Sequence, residues 1–302
     1  MWHRIERRDN LAALAAIPDR SVPLIYVDPP FNTGRTQRRT AVSTTRDPAG
    51  DRTGFGGHRY VSRAAGTLAY PDSHDDYLAF LGPRLREGYR VLADHGSFYL
   101  HLDYRESHYA KVLMDEIFGR DRFVNQIIWA YDYGGRSRRR WPAKHDVILF
   151  YVKDPAAYVF DAEAVDREPY MAPGLVTPAK VARGKLPTDV WWHTIVSPTG
   201  REKTGYPTQK PLGVLRRIVA ASSRPGDVVL DYFAGSGTTG AAALELGRRF
   251  HLVDAHPDAV ATMLRRFAGV PGITVSGDVN GTHAGASADV APERVAVPPG
   301  RT

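Results

Sequence analysis

The segment Leu230-Asp231-Tyr232-Phe233-Ala234-Gly235-Ser236-Gly237-Thr238-Thr239-Gly240 constrains the fold of this chain more than any other stretch. The apolar run Val228 to Asp231 leads into it as a strand, and helical spacing continues beyond it to Leu246. A second strand, Phe250–Asp254, and a last helix to Phe267 follow. Strand, glycine turn, helix and strand in that order make a βαβ unit of a parallel sheet. Gly235, Gly237 and Gly240 reproduce the spacing G-x-G-x-x-G, in which missing side chains let a nucleotide-like ligand approach the backbone. A valine at 237 is then expected to fill the ligand's place in a protein that stays folded. The same glycines also permit a helix to lie close on its strand. Asp254 is placed to accept hydrogen bonds from ribose hydroxyls, or to cap the helix entered at His256-Pro257.

Position and charge bear on which ligand the turn holds. A dinucleotide-binding enzyme carries this fingerprint in its first βα unit, whereas here it lies in the last quarter of the chain. Asp231 would also face a pyrophosphate with like charge, yet it suits the cationic amino-acid end of S-adenosylmethionine. Charge favours the methyl donor over NAD.

Towards the N-terminus the pattern gives a brief strand ending near Asp9, a short helix Asn10 to Ile17, and a buried strand Val22–Val27 halted by Pro29-Pro30. Thr33 to Tyr70 is rich in Gly, Thr, Ser and Arg, and is expected to be a long irregular functional loop. Arginines 35, 38, 39, 46, 52, 59 and 63 stand there against only Asp47 and Asp51. Ser73 is expected to cap a helix carrying Tyr77, Phe80, Leu81, Leu85, Tyr89 and Leu92 at helical spacing. A strand Ser97–Leu102, a helix with Tyr109, Val112, Leu113 and Ile117 on one face, and strands Val124–Tyr131 and Val147–Val152 follow. Leu212 to Ser222 reads as a further helix. The expected organisation is a catalytic domain of residues 1–153 and 206–275, an inserted target-recognition module at 154–205, and a disordered tail at 276–302.

Asp28-Pro29-Pro30-Phe31 leaves the end of the strand Val22–Val27. Two prolines fix the backbone and remove N–H donors, leaving carbonyls free to accept. A carboxylate and a prolyl carbonyl can take both hydrogens of an NH₂ group, and an aromatic ring can stack on a base turned out of its helix. Alone, Asp-Pro-Pro is also a common turn at a strand end. Together with the glycine turn it signals chemistry.

The Asp28–Phe31 tetrad, the Phe233–Thr239 turn and Tyr206-Pro207-Thr208-Gln209-Lys210-Pro211 resemble the DNA (N4/N6) amino-methyltransferase family, over about Asp9 to Phe267. Catalytic motif first and cofactor motif last resembles its permuted β class. The resemblance implies an α/β fold, Rossmann-like and circularly permuted, with a mostly parallel sheet and helices on both faces. It implies that Asp28, Pro29, Pro30 and Phe31 hold the target amino group. Asp9, Thr208, Gln209, Lys210, Asp231, Phe233, Ala234, Gly235, Ser236, Gly237, Thr238, Thr239 and Asp254 would line the S-adenosylmethionine site. Arg8 stands where the family often has glycine, and Tyr232 where many members have proline. An acidic first residue of the tetrad is typical of members acting on adenine N6, with cytosine N4 the alternative. No metal is required.

The formal net charge of +7 suits a polyanionic partner, here double-stranded DNA. Arg35, Arg38 and Arg39, then Arg136, Arg138, Arg139, Arg140 and Lys144, are the expected phosphate contacts, although such runs are also often solvated loops. Trp191 and Trp192 serve either recognition or the core, and His101 and His145 read as structural. The chain contains no cysteine, which excludes disulfides, thiolate metal sites and the covalent chemistry of C5-cytosine methylation. The lack of a long apolar run or signal peptide leads to the expectation of a cytoplasmic, nucleoid-associated protein without a membrane partner. A homodimer and a cognate restriction enzyme both fit the resemblance. The contrasting readings are an NAD-dependent oxidoreductase and a catalytically inactive DNA-binding module.

Overall fold

In a computed structural model, the described residues are 2–32, 35–50, 52–53, 57–72, 76–197 and 200–277. The first elements are β1 (His3–Arg7), α1 (Asn10–Ala15), β2 (Val22–Val27), β3 (Arg35–Arg46), β4 (Arg52–Thr53) and β5 (Arg59–Asp72). Then come α2 (Tyr77–Val91), β6 (Leu92–Leu102), α3 (Ser107–Phe118), β7 (Phe123–Ala130) and β8 (His145–Val152). The chain ends with α4 (Pro178–Arg183), β9 (Val190–Trp192), α5 (Leu212–Ser222), β10 (Val228–Asp231), α6 (Thr238–Glu245), β11 (Arg249–Asp254), α7 (Pro257–Arg266) and β12 (Ile273–Gly277).

Nine strands form one sheet in the order β12-β1-β11-β10-β2-β6-β8-β7-β9. Every pairing from β12 to β6 is parallel, and β8 runs antiparallel between β6 and β7. The central strands carry apolar residues on both faces because both faces are covered. Leu24 and Tyr26 point with Tyr99, Ile148 and Phe150 towards α5, α6 and α7. Ile25 and Val27 point with Phe98, Leu100 and Leu149 towards α1, α2 and α3. From β10 the chain winds outward through β11 to β1 and β12, while β2 leads the other way into β6. The order therefore reverses between β10 and β2, and a crevice opens beyond the carboxyl ends of these two strands.

Four expectations need correction. The described residues of the span 33–70 are not irregular: β3 and β5 pair antiparallel from Arg35↔Asp72 to Arg46↔Tyr60, with β4 on the outer edge. Asp47-Pro48-Ala49-Gly50 supplies the turn after β3, the Asp47 carboxylate accepting from Ala49 N at 2.8 Å. At Gly50 a Cβ would lie 2.4 Å from the Tyr60 backbone, so only glycine fits. The α2 cap is Asp76, whose side chain accepts from Ala79 N at 2.9 Å, while Ser73 lies outside the described residues. On α3 the buried stripe is Ala110, Met114 and Phe118, whereas Tyr109 and Val112 are 64% and 59% exposed. Finally, β12 continues the main sheet to Gly277, so a strand enters the span expected to be tail, and the remainder of 276–302 lies outside the described residues.

Segment 154–205 has few regular elements, yet it is tied to the core. Its strand β9 extends the main sheet beside β7, burying Trp191 and leaving Trp192 73% exposed. Arg217 of α5, itself buried, binds Asp166 and Glu168 of this segment at 2.8 and 2.9 Å.

Candidate active site

The crevice between β10 and β2 holds a cavity of about 620 Å³, within the range that encloses small-molecule ligands. Asp28 to Phe31 form one wall, and Asp231 with Phe233 to Ser236, Thr238 and Thr239 form the facing wall. The topology brings them together. Register pairs Leu230 with Ile25, so Asp231 and Asp28 leave adjacent strand ends.

Asp231 is almost fully buried and is held by neighbours from its own turn. Its carboxylate accepts from Phe233 N at 3.0 Å and from the Thr239 hydroxyl at 2.6 Å. Burial pushes its pKa up to about 7, and the charges of Asp28 and Asp254 add to the rise against these two hydrogen bonds. Asp254 lines the same cavity and accepts from Gly235 N at 2.9 Å and His256 N at 2.8 Å. Burial raises this carboxyl too. The cap of α7 is the His256 imidazole, which accepts from Asp258 N at 3.2 Å, so Asp254 supports the turn before the helix and not the helix cap itself.

On the opposite wall Lys210 donates to both Asp28 oxygens, at 2.8 and 2.6 Å, with its ammonium 4.5 Å from the centroid of the Phe31 ring. A chain of hydrogen bonds crosses three strands, β2, β6 and β8, and ends at Tyr131 just past β7. Tyr26 Oη lies 2.7 Å from His101 Nδ1, and His101 Nε2 lies 3.0 Å from Asp146. Tyr131 donates to the other Asp146 oxygen at 3.0 Å. Burial alone would raise the Asp146 carboxyl, but its hydrogen bond to His101 and the nearby charges of His101 and Lys210 hold it below the ordinary carboxylate range. His101 is thus a satisfied structural histidine, as its place on an apolar strand suggests.

The DNA methylase family model (N6_N4_Mtase) matches residues 22–265, spanning both walls of this cavity. The chain belongs to the DNA methylase family. Among relatives of this methylase is the DNA adenine methyltransferase YhdJ of Escherichia coli (strain K12). It is 31% identical over 266 residues, 85% of this chain and 80% of the relative. The Type II methyltransferase M.HpaI of Haemophilus parainfluenzae is 29% identical, covering 82% of this chain and 68% of the relative. The fold matches that of the M1.HpyAVI–SAM complex, with TM-score 0.57 and 22% identity over 89% of this chain and all of that one. It also matches the cytosine-N4-specific PvuII DNA methyltransferase, with TM-score 0.61 and 16% identity over 89% of this chain and 88% of that one.

Within the methylase cavity the structure gathers most of the expected site residues, but not all. Thr208 and Lys210 line it, and Gln209 does not. Gln209 instead braces its own loop, accepting from Thr204 N at 2.7 Å and donating to Glu202 O at 2.6 Å. Asp9 lies outside the cavity wall as the cap of α1, accepting from Leu11 N at 3.0 Å and Ala12 N at 3.2 Å, with Arg84 beside it. Tyr26, Tyr131, His145, Asp146, Tyr206, and the Asp103–Arg105 pair also line the cavity, and sequence patterns did not single out these positions as site residues. His145, expected to be structural, opens onto the cavity from the first position of β8.

The glycines divide by role. Gly235 has φ of +49°, and a Cβ on it would lie 3.2 Å from the Tyr206 ring. Gly237, with φ of +74°, faces away from the cavity: a Cβ there would meet Met263 at 2.9 Å and Phe267 at 3.1 Å. Gly240 likewise abuts Leu252 and Phe267. Close packing of α6 on the sheet, not ligand approach, therefore explains Gly237 and Gly240. The expectation that valine at 237 leaves the protein folded is corrected accordingly. Gly237→Val combines left-handed strain with overpacking and should destabilise the fold by about 3 kcal/mol or more. A lowered denaturant midpoint measures this, and a midpoint equal to wild type would contradict it.

Proposed function

We propose that this methylase transfers a methyl group from S-adenosylmethionine to N6 of adenine in double-stranded DNA. The observation that carries the reading is the meeting of Asp28 and Asp231 in one cavity, at the adjacent ends of β2 and β10. The donor is cationic at its amino and sulfonium groups. Asp231, buried and raised to about 7, is a carboxylate whose charge is poorly compensated and which a ligand cation would stabilise. The turn Phe233 to Ser236 and Asp254 supply the remaining wall around the donor.

When bound, the donor supplies a methyl carbon, so that the nitrogen lone pair forms the N–C bond as the C–S bond breaks with its pair left on sulfur. Asp28 accepts one amino hydrogen and the Pro29 carbonyl the other, which draws the nitrogen lone pair out of conjugation with the ring. Phe31 offers a stacking face to the base. The nitrogen then gives up a proton, and the Asp28 carboxylate is the acceptor at hand before release to solvent. Adenine is preferred to cytosine because the tetrad begins with an acid, and the name of the Escherichia coli relative agrees. Mass spectrometry of nucleosides from DNA treated with protein and donor tests the reading: N6-methyladenine supports it, and N4-methylcytosine alone replaces the base. Labelled donor left untransferred, with NADH bound, would restore the oxidoreductase reading.

The DNA surface is proposed to include the exposed loop between β7 and β8, with Arg136, Arg138, Arg139, Arg140 and Trp141, which leaves the cavity rim at Tyr131 and returns at Ala143. Lys144 ties the base of the loop by donating to Asp132 O at 3.0 Å. Arg35, Arg38 and Arg39 lie on β3 and are proposed as further phosphate contacts. Replacing the four loop arginines by alanine should lower the slope of log K against log salt by about 0.9 for each phosphate deprived of its arginine. An unchanged slope would remove the loop from the interface. Segment 154–205, with exposed Trp192, is the proposed target-recognition module. A homodimer and a cognate restriction enzyme remain part of the proposal. Among the described residues no helix is long and apolar enough to cross a membrane, and a cytoplasmic, nucleoid-associated location is proposed from the DNA substrate.

A further inference from the structure

The resemblance places Lys210 in the donor pocket, yet its ammonium sits on the catalytic acid, 2.8 and 2.6 Å from the two Asp28 oxygens. Both side chains are largely withdrawn from solvent, at 10% and 15% exposure. The lysine is also held in place from behind. Gln209 is fastened to Thr204 and Glu202, and Leu212 N donates to the Glu202 carboxylate at 3.0 Å. This is a built contact between residues 182 positions apart, not a mobile surface pair.

The surroundings show why Asp28 needs a cation. Asp231 from β10, Asp254 from β11 and Asp146 from β8 share its cavity. Asp103 is there too, already paired with Arg105, and Tyr26, Tyr104, Tyr131, His145, Tyr206 and His256 are the remaining titratable groups of the lining. The lysine's charge reaches Asp146, and that of Asp28 adds to the rise of Asp231. Asp231 in the same cavity is raised to about 7, by burial first and then by the charges of Asp28 and Asp254. A protonated Asp28 would present a donor where the amino group requires an acceptor.

We propose that Lys210 is a positioning residue that keeps Asp28 ionised and oriented, its ammonium occupying in the DNA-free enzyme the place on the carboxylate that the target amino group takes. On base entry the ammonium yields one oxygen and keeps the other. Asp28 then receives the amino hydrogen bond as a carboxylate, and is free to take up a proton only after the methyl has moved. The proposal rests on the methyltransferase reading for the reaction, but the ion pair can be tested without it.

The test compares wild type, Lys210→Gln and Lys210→Arg, each checked for folding by circular dichroism. Carbon-13 NMR of the aspartate carboxyls, with Asp28→Asn for assignment, reads the titration of Asp28 in the protein alone. In Lys210→Gln that titration should move up by about one to three pH units, the effect of removing a close opposite charge, while Lys210→Arg leaves it near wild type. The acid limb of kcat should move up by the same number of pH units and the rate recover at high pH, with donor Kd changed less than about threefold. An unmoved Asp28 titration overturns the proposal. So does a rate lowered equally at every pH, or a donor Kd weakened as much as the rate, which would return Lys210 to the donor pocket. A wild-type protein that methylates nothing while Asp28 titrates as expected would instead remove the methyltransferase reading and leave the ion pair standing.

Discussion

Asp231→Asn should make the protein more stable at pH 8 and, in the same variant, weaken donor binding by about 100-fold. Both effects come from one buried carboxylate. Its pKa is about 7 in the folded chain, raised by burial first and by Asp28 and Asp254 after that. In the unfolded chain it titrates near 4. Between these values the folded state binds more protons than the unfolded one. The stability this carboxyl contributes is therefore fully present below about pH 4 and lost as pH rises through about 7. The loss is on the order of 4 kcal/mol, because the folded and unfolded carboxyls titrate roughly three pH units apart. Asparagine, uncharged and of the same shape, avoids much of it. The Phe233 amide keeps its acceptor, and the Thr239 hydroxyl can turn to accept from the new amide. Thermal midpoints of variant and wild type should converge below about pH 4, draw apart as pH rises to about 7, and keep that separation above it. Donor binding runs the other way, since a charge-assisted hydrogen bond to an ammonium is worth about 1.5–3 kcal/mol. Calorimetry on wild type should show donor affinity rising with pH up to about 7, and the variant should show no such rise. Equal affinity in both proteins would place the donor elsewhere.

The elements that could be read from sequence were those whose pattern is local. Val22–Val27 matches β2 to the residue, because an apolar run ended by two prolines admits one reading. The βαβ unit around the glycine turn is recovered for the same reason, and its position between Asp231 and Asp254 locates the cavity. Arg35–Asp72 was hidden by its composition: arginines and glycines outweigh the β-branched Thr36, Thr40, Val42, Thr44 and Thr45 that make β3 a strand. On α3 two stripes compete by periodicity. The one that wins carries Ala110, small enough for the helix to approach the sheet. Most of the cavity's electrostatics is tertiary and leaves no trace in any window of sequence. The chain from Tyr26 through His101 and Asp146 to Tyr131 needs β2, β6, β8 and β7 in their sheet order. The Lys210–Asp28 pair needs α5 to pack across the mouth of β2. Gly237 and Gly240 show the reverse error, since a motif that suggested ligand contact was satisfied by packing.

Asp28→Ala should lower methyl transfer by about three orders of magnitude and leave donor Kd within about threefold of wild type. Removing one preorganised group that acts on the reacting atom costs about 10²–10³ in rate, and the lost group is here also the proposed proton acceptor. Donor binding survives because Asp231, Asp254 and the turn Phe233 to Ser236 stand on β10 and β11, apart from the tetrad at the end of β2. The lysine left behind still lies in the field of the Asp146 carboxylate, which lines the same cavity. Single-turnover kinetics with purified DNA, read by mass spectrometry of the nucleosides, separates binding from chemistry. A chain without cysteine cannot form the covalent adduct that C5-cytosine methylation requires, which leaves the amino nitrogen as the proposed acceptor. Substantial N6-methyladenine from Asp28→Ala would mean that the Pro29 carbonyl and the stacking face of Phe31 suffice. Asp28 would then be a residue that shapes the pocket and not the acceptor at its centre. Loss of donor binding together with rate would mean instead that the two walls of the cavity are not independent, and that the pairing of Lys210 with Asp28 holds the donor site closed as well.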